Sequence, residues 1–245
     1  MGLFDKKYCD ICGEKIGLLG NRKLEDGNLC KDCAKKLSPW FNERRHSTLN
    51  DIREQLEYRE ANKEEVAAFH TSRSIGAGFD MLMLDEAARK FAVCDGDGLK
   101  KDNPDIIKYE DVTNVRLDVV ENKTERTYRN SQGENVSYNP PQYDYSYDFY
   151  CIINVNNRFF DELKFKLNKN EVEIRETGIG LRSVGRSSNA QYDFYVKMCD
   201  DISNILLNRE APEEVGPSES DTWVCPYCGG MSTGFTCQNC GAARQ

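Results

Sequence analysis

Apolar and polar positions change period twice along this chain. Over 38–69 the repeat is helical. Leu49, Ile52, Leu56, Ala61, Val66 and Phe69 make one side, and Asp51, Glu54, Glu57, Arg59, Glu60, Lys63 and Glu64 make the other. Ser38-Pro39 suits a first helical turn, and Ser47 or Thr48 can cap a second helix. Between 67 and 176 the pattern becomes that of strands, rich in β-branched and aromatic residues. It predicts strands at 68–75, 79–84, 90–94, 112–120, 147–155, 159–167 and 171–176. Gly76-Ala-Gly78, Asp85-Glu-Ala-Ala, Asp95-Gly-Asp-Gly98 and Asn154 to Arg158 supply turns, and the polar, then proline- and tyrosine-rich insert 121–146 reads as a mobile loop. Residues 188–208 return to helical period, with Tyr192, Tyr195, Val196, Cys199, Ile202 and Leu206 on one face. Strands followed by one amphipathic helix predict a partly open β-barrel over 70–208, capped by that C-terminal helix.

The two ends break this pattern with cysteine. Cys9-Asp-Ile-Cys12 and Cys30-Lys-Asp-Cys33 open the chain, and Cys225-Pro-Tyr-Cys228 and Cys237-Gln-Asn-Cys240 close it, so eight of eleven cysteines fall in CxxC pairs. One such pair lets two thiolates from a single turn reach one ion, and a second pair completes a tetrahedron. Two structural Zn2+ ions are therefore expected. At the N-terminus the order is a Cys12-Gly13 knuckle, short strands at 16–19 and 23–29 around Asp26-Gly27, then ligands at the start of a helix. That is the order of a treble-clef zinc finger over 1–36, with 37–69 as its helical extension. At the other end two Cys-Gly knuckles eight residues apart predict a zinc ribbon over 223–245. Residues 209–222, with Glu210, Pro212, Glu213, Glu214, Gly216 and Pro217, have a composition that buries little and read as a flexible acidic linker. The whole is an α+β, multi-module chain.

Charge narrows the function. The formal net charge of −8 argues against binding nucleic acid through bulk attraction. No run approaches the roughly 20 apolar residues of a membrane span, and the N-terminus lacks the apolar stretch of a signal peptide. A cytoplasmic chain is expected, in which CxxC pairs bind metal rather than form disulfides. Cys94, Cys151 and Cys199 lie in apolar patterns and read as small core residues.

Catalytic constellations are thin. His46 and His70 are the two histidines, and neither stands in a recognisable nucleophile set. Four cysteines per site leave no ligand position for an activated water, the mark of structural zinc. Gly76-Ala-Gly78 and Gly178-Ile-Gly180 lack the third glycine of a dinucleotide loop, and Asp95-Gly-Asp-Gly98 departs from a calcium loop at Leu99 and Lys100. Tyr138, Tyr143, Tyr145, Tyr147 and Tyr150 form a cluster that reads first as a strand entering the core and second as a binding face.

The stretch from Tyr8 to Gly13 and from Lys23 to Ala34 resembles bacterial proteins marked by an N-terminal four-cysteine zinc-binding domain of unknown function. That resemblance implies Cys9, Cys12, Cys30 and Cys33 as ligands. The middle is similar in strand order to bacterial pleckstrin-homology-like domains, and the tail resembles zinc ribbons appended to many bacterial proteins. No activity follows from these likenesses. The expected function is a non-catalytic adaptor or scaffold that recognises a protein partner through its β-domain and zinc modules. Two alternatives stand beside it: nucleic-acid binding through the zinc modules with Lys35, Lys36, Arg44 and Arg45, and membrane-surface recruitment through the β-domain.

Overall fold

The computed structural model describes residues 7–101, 103–175, 189–207, 222–224 and 231–233. The chain divides into two compact units, Met1–Leu207 and Asn208–Gln245. The described residues form a mixed α/β structure with several antiparallel sheets and no closed barrel.

In the first unit the N-terminal segment carries a small hairpin, β1 (Arg22–Lys23) and β2 (Asn28–Leu29), followed by the one-turn helix α1 (Lys31–Ala34). The hairpin turns at Asp26-Gly27, and a Cβ on Gly27 would sit 2.9 Å from the Asp10 carboxylate and 3.0 Å from the Leu49 side chain. Glycine is needed there for close approach. The stretch expected as a first helix after Ser38 holds a 3₁₀ turn at Glu43–His46 instead. Helix α2 (Leu49–Ala68) begins at Thr48, whose hydroxyl accepts from Asp51 N–H while the Asp51 carboxylate accepts from Thr48 N–H. This reciprocal capping fixes the start. Helix α2 runs through Ala68, so the strand expected from 68 begins only at Arg73; Ala61, Glu64, Glu65, Ala67 and Ala68 favour helix strongly.

Two four-stranded sheets follow. One is a meander of β3 (Arg73–Ile75), β4 (Met81–Asp85), β5 (Lys90–Cys94) and β6 (Ile107–Lys108). Its β5–β6 connection contains the one-turn helix α3 (Gly98–Lys101), so Asp95-Gly-Asp-Gly98 leads into a helix rather than closing a hairpin. The other sheet is organised on one long strand, β10 (Tyr143–Val155). Strand β7 (Val112–Glu125) pairs along its whole length on one side; β11 (Glu162–Lys166) and β12 (Val172–Arg175) share the other side.

This pairing overturns the mobile loop expected over 121–146. Ladder partners continue out to Glu125 and Tyr143, and β8 (Thr127–Arg129) and β9 (Asn135–Ser137) form a further hairpin beyond them. The physical reason lies in the facing side chains. Along the inner face, Ile153, Cys151 and Phe149 oppose Val115, Leu117 and Val119; then Tyr147, Tyr145 and Tyr143 oppose Glu121, Lys123 and Glu125. Tyr147 donates to the Glu121 carboxylate at 3.0 Å, and the Lys123 ammonium lies 3.8 Å from the Tyr143 ring centroid. Cross-strand pairs of this kind stabilise strands that carry few aliphatic residues. The tyrosine cluster thus divides. Tyr147 is in the core, Tyr145 packs at its edge, Tyr138 meets Tyr128 with the rings tilted, and Tyr150 lies on the opposite face beneath Lys164.

Helix α4 (Ala190–Leu206), capped by Asn189, packs its Cys199, Ile202 and Leu206 into the large core formed by both sheets. Tyr192 and Tyr195 close on Phe149 with ring centroids 4.9 and 5.2 Å away. Buried Cys94 and the adjacent Cys151 and Cys199 thiols, 3.9 Å apart, serve as core residues. The two sheets also meet at Gly78, where a Cβ would fall 2.2 Å from the Lys166 carbonyl oxygen. In the second unit, β13 (Thr222–Val224) pairs with β14 (Met231–Thr233) as a hairpin. Among the described residues no helix is long and apolar enough to cross a membrane. Gly178-Ile-Gly180 and most of the expected linker lie outside the described residues.

Candidate metal centre

Cys9 and Cys12 flank a tight knuckle: Gly13 N–H donates to Cys9 O at 2.8 Å, and Gly13 takes φ of 77°, where glycine meets no steric penalty. Cys30 caps α1 and Cys33 lies inside it. The hairpin brings these two sites together, because Asp10 N–H donates to Asn28 O at 2.9 Å and the Asp10 carboxylate accepts from Asn28 N–H at 2.7 Å. As a result the four sulfurs all lie within 4.8 Å of one another, a cluster that can hold a metal ion. Cys12 and Cys30 Sγ are 3.7 Å apart. Bonds of about 2.3 Å to a common tetrahedral ion would set each sulfur pair about 3.8 Å apart. The donor set and its spacing fit such an ion.

Electrostatics favour thiolate at Cys9 and oppose it at Cys12 and Cys33, whose thiols are raised. Cys9 Sγ accepts from Cys30 N–H and Cys30 Sγ accepts from Cys33 N–H, both at 3.3 Å. Burial raises the Cys9 thiol, but the amides of Cys12, Cys30 and Ile11 outweigh it and bring it down to about 6. Cys33 is pushed well up by burial and by its three thiol neighbours. Crowded thiols cannot all ionise alone, whereas a divalent cation gives all four a shared positive partner.

Residues 7–55 match the family model of a domain of unknown function, DUF4428. All four thiols fall within this DUF4428 segment. Its limit at Gln55 lies in α2, just past Ile52, the last buried residue of the small core of Cys9, Ile16, Leu24, Leu29, Cys33, Leu37 and Ile52. The match and the core describe the same piece of chain. It supports the N-terminal part of the expected resemblance. No curated protein and no solved structure matches the chain.

The other candidate ligands, Cys225, Cys228, Cys237 and Cys240, lie outside the described residues. His46 and His70 are exposed. Sequence reasoning missed how the metal segment is fastened to the large core. Of the apolar side that helix α2 displays, Ile52 is buried and Leu49 and Leu56 pack on the small core, but the other buried residues of the helix are polar: Gln55, Arg59 and Asn62. Arg59 donates to the Asp105 carboxylate at 2.9 Å, Ser38 donates to the same carboxylate at 2.8 Å, and Asp105 is 1% exposed. Asn62 donates to Pro104 O and accepts from Ile106 N–H, while Asn103 donates to Arg59 O. Tyr58 packs on Phe159 with centroids 5.2 Å apart, and Arg158 pairs with Glu54. Helix α2 is a clamp, with one end in the metal segment and the other on the β-structure.

Proposed function

We propose that the chain is a non-catalytic adaptor built on structural zinc, and that Cys9, Cys12, Cys30 and Cys33 hold one Zn2+. The observation that carries this reading is the closed donor set. Four thiols in tetrahedral reach of one ion fill its shell and leave no place for a reacting water. A treble-clef order of knuckle, hairpin and helix supports zinc as the metal. In the same reading 1–36 is the finger and 37–69 its extension. The β-domain with its capping helix, 70–208, is pleckstrin-homology-like, supported by two antiparallel four-stranded sheets sharing a core with α4. Residues 209–222 are a tether, and 223–245 a ribbon in which Cys225, Cys228, Cys237 and Cys240 hold a second Zn2+. Partner recognition falls to the β-domain and the ribbon, with the finger as a rigidly mounted surface.

Two measurements test this. Elemental analysis of the purified full chain should give two zinc ions per molecule, and one in Cys228→Ser; iron, or no metal, would sink the zinc assignment. Crosslinked capture from the native cell should lose protein partners when 223–245 is deleted, and an unchanged partner set counts against the adaptor role.

A further inference from the structure

Beyond its ligands, the metal segment carries an apolar tip beside a basic hollow. Gly17-Leu18-Leu19-Gly20 forms a tight turn, with Gly20 N–H donating to Gly17 O at 3.0 Å. Its central residues, Leu18 and Leu19, are each 89% exposed, and neither joins the small core. One exposed leucine is ordinary, but two at a turn apex make a protruding apolar point. The chain passes from this turn into the wall of an open cavity of about 820 Å³. Arg22, Lys23, Arg44, Arg45 and His46 line it, with Glu25 the one carboxylate. Arg22 donates to Leu19 O at 3.3 Å and Arg44 to Lys23 O at 3.0 Å, so the basic walls are tied to the turn and to β1. Among the described residues, none of Arg22, Lys23, Arg44 and Arg45 forms a salt bridge. Arg44 is lowered from the usual arginine range by burial and then by the neighbouring Arg22 and Arg45 cations.

We propose that this corner docks on an anionic lipid surface, with Leu18 and Leu19 entering the headgroup region and the cavity of Arg22, Lys23, Arg44 and Arg45 receiving lipid phosphates. A negatively charged bilayer repels a chain of net charge −8 as a whole, so contact is confined to the place where cations locally exceed carboxylates. The two leucines select lipid over nucleic acid. Phosphates along a duplex attract the arginines equally well but give exposed leucines no apolar medium. Apolar burial and headgroup attraction add, and weak interfacial binding generally needs both. This inference goes beyond the adaptor reading and does not depend on any protein partner. Failure of partner capture leaves it standing, and its own failure leaves the adaptor reading standing.

The test is co-sedimentation of the full, metal-bound chain with phosphatidylglycerol–phosphatidylcholine vesicles, and with phosphatidylcholine alone. The chain should sediment with the anionic vesicles and not with the neutral ones. Lys23→Gln and Arg45→Gln, both exposed, should each lower the partition about fivefold. Leu18→Ser with Leu19→Ser should lower it about tenfold or more. Metal content and far-UV circular dichroism, unchanged in all three, certify the fold; Leu18→Ser alone gives a milder variant of the same kind. Absence of binding at low salt, or equal binding to neutral vesicles, overturns the proposal. So does a loss on the basic substitutions with none on the leucines, or tighter binding to a short DNA duplex that ignores the leucines.

Discussion

Asn168 stands between the two short strands that share one side of β10, where neither β11 nor β12 supplies a ladder partner. Its side-chain oxygen accepts from Phe149 N–H at 2.8 Å, and its amide donates to Tyr147 O at 3.2 Å and Asn170 O at 2.8 Å. One fully buried side chain thus replaces backbone pairing across the break. Asn168→Ala takes the side-chain partner from the buried Phe149 N–H and Tyr147 O, and should cost about 3 kcal/mol in urea unfolding. Asp85 performs a related task at the end of β4 in the other sheet, accepting from His70 N–H at 2.9 Å and Ala88 N–H at 3.0 Å. These amides hold its carboxyl below the usual carboxylate range. A depressed folded value means the stabilisation is present above the ordinary carboxylate pKa and is lost as pH falls through the lowered one. The stability difference between the native chain and Asp85→Asn should therefore be largest near neutrality and shrink on acidification, as followed by urea midpoints against pH. A difference that grows on acidification would reverse the assigned sign. From the sequence Asp85 read only as a turn residue and Asn168 did not stand out, because an asparagine or aspartate between strands looks like any turn residue until its partners are known.

Helix α2 shows why one element can be legible in extent and illegible in use. Its cap and its helical period are local properties; the pattern offered Ser47 or Thr48 as the cap, and Thr48 is the one used. Its buried side was another matter. Arg59 and Asn62 fall among charged neighbours and look solvated, yet their partners, the Lys36 carbonyl and residues 103–106, come from elsewhere in the chain. Periodicity cannot report a polar stripe that a distant loop will satisfy. The same limit explains the 121–146 ribbon, whose strands are held by tyrosine–charge pairs rather than by an aliphatic alternation. For α2 the consequence is testable. Arg59→Ala strands the Asp105 carboxylate in a dry site, where burial already raises its pKa against the pull of Arg59 and Ser38. Removing one partner of such a pair should cost about 3–5 kcal/mol, while replacing both by apolar residues of similar size should cost much less. A double-mutant cycle with Arg59→Met and Asp105→Leu, read by chemical denaturation, measures the coupling. Near-additivity would mean the pair does not fasten the helix.

At the scale of the first compact unit, Met1–Leu207, two hydrophobic cores share one helix. The candidate metal site was legible because CxxC spacing is local; the basic cavity was half legible, since Arg44 and Arg45 meet Arg22 and Lys23 only through the fold. What the two cores do on metal loss follows from their sizes. The small core rests on Leu24, Leu29, Leu37 and Ile52 around the thiols, too little apolar surface to hold a fold without a crosslinking ion. The large core contains no ligand of this site. Helix α2 lies between: Ile52 belongs to the small core, whereas Arg59 and Asn62 grip 103–106. Chelation should therefore open the small core and fray α2 from its N-terminal end, with the fraying halted at the polar clamp. Hydrogen exchange should show protection lost over 9–33 and 49–55 and retained in β4, β5, β7 and β10. In an Arg59→Ala background the same chelation should carry the loss through the whole of α2, because nothing then stops it. If the strands lose protection together with the small core, the clamp couples the two cores into one cooperative unit instead of separating them.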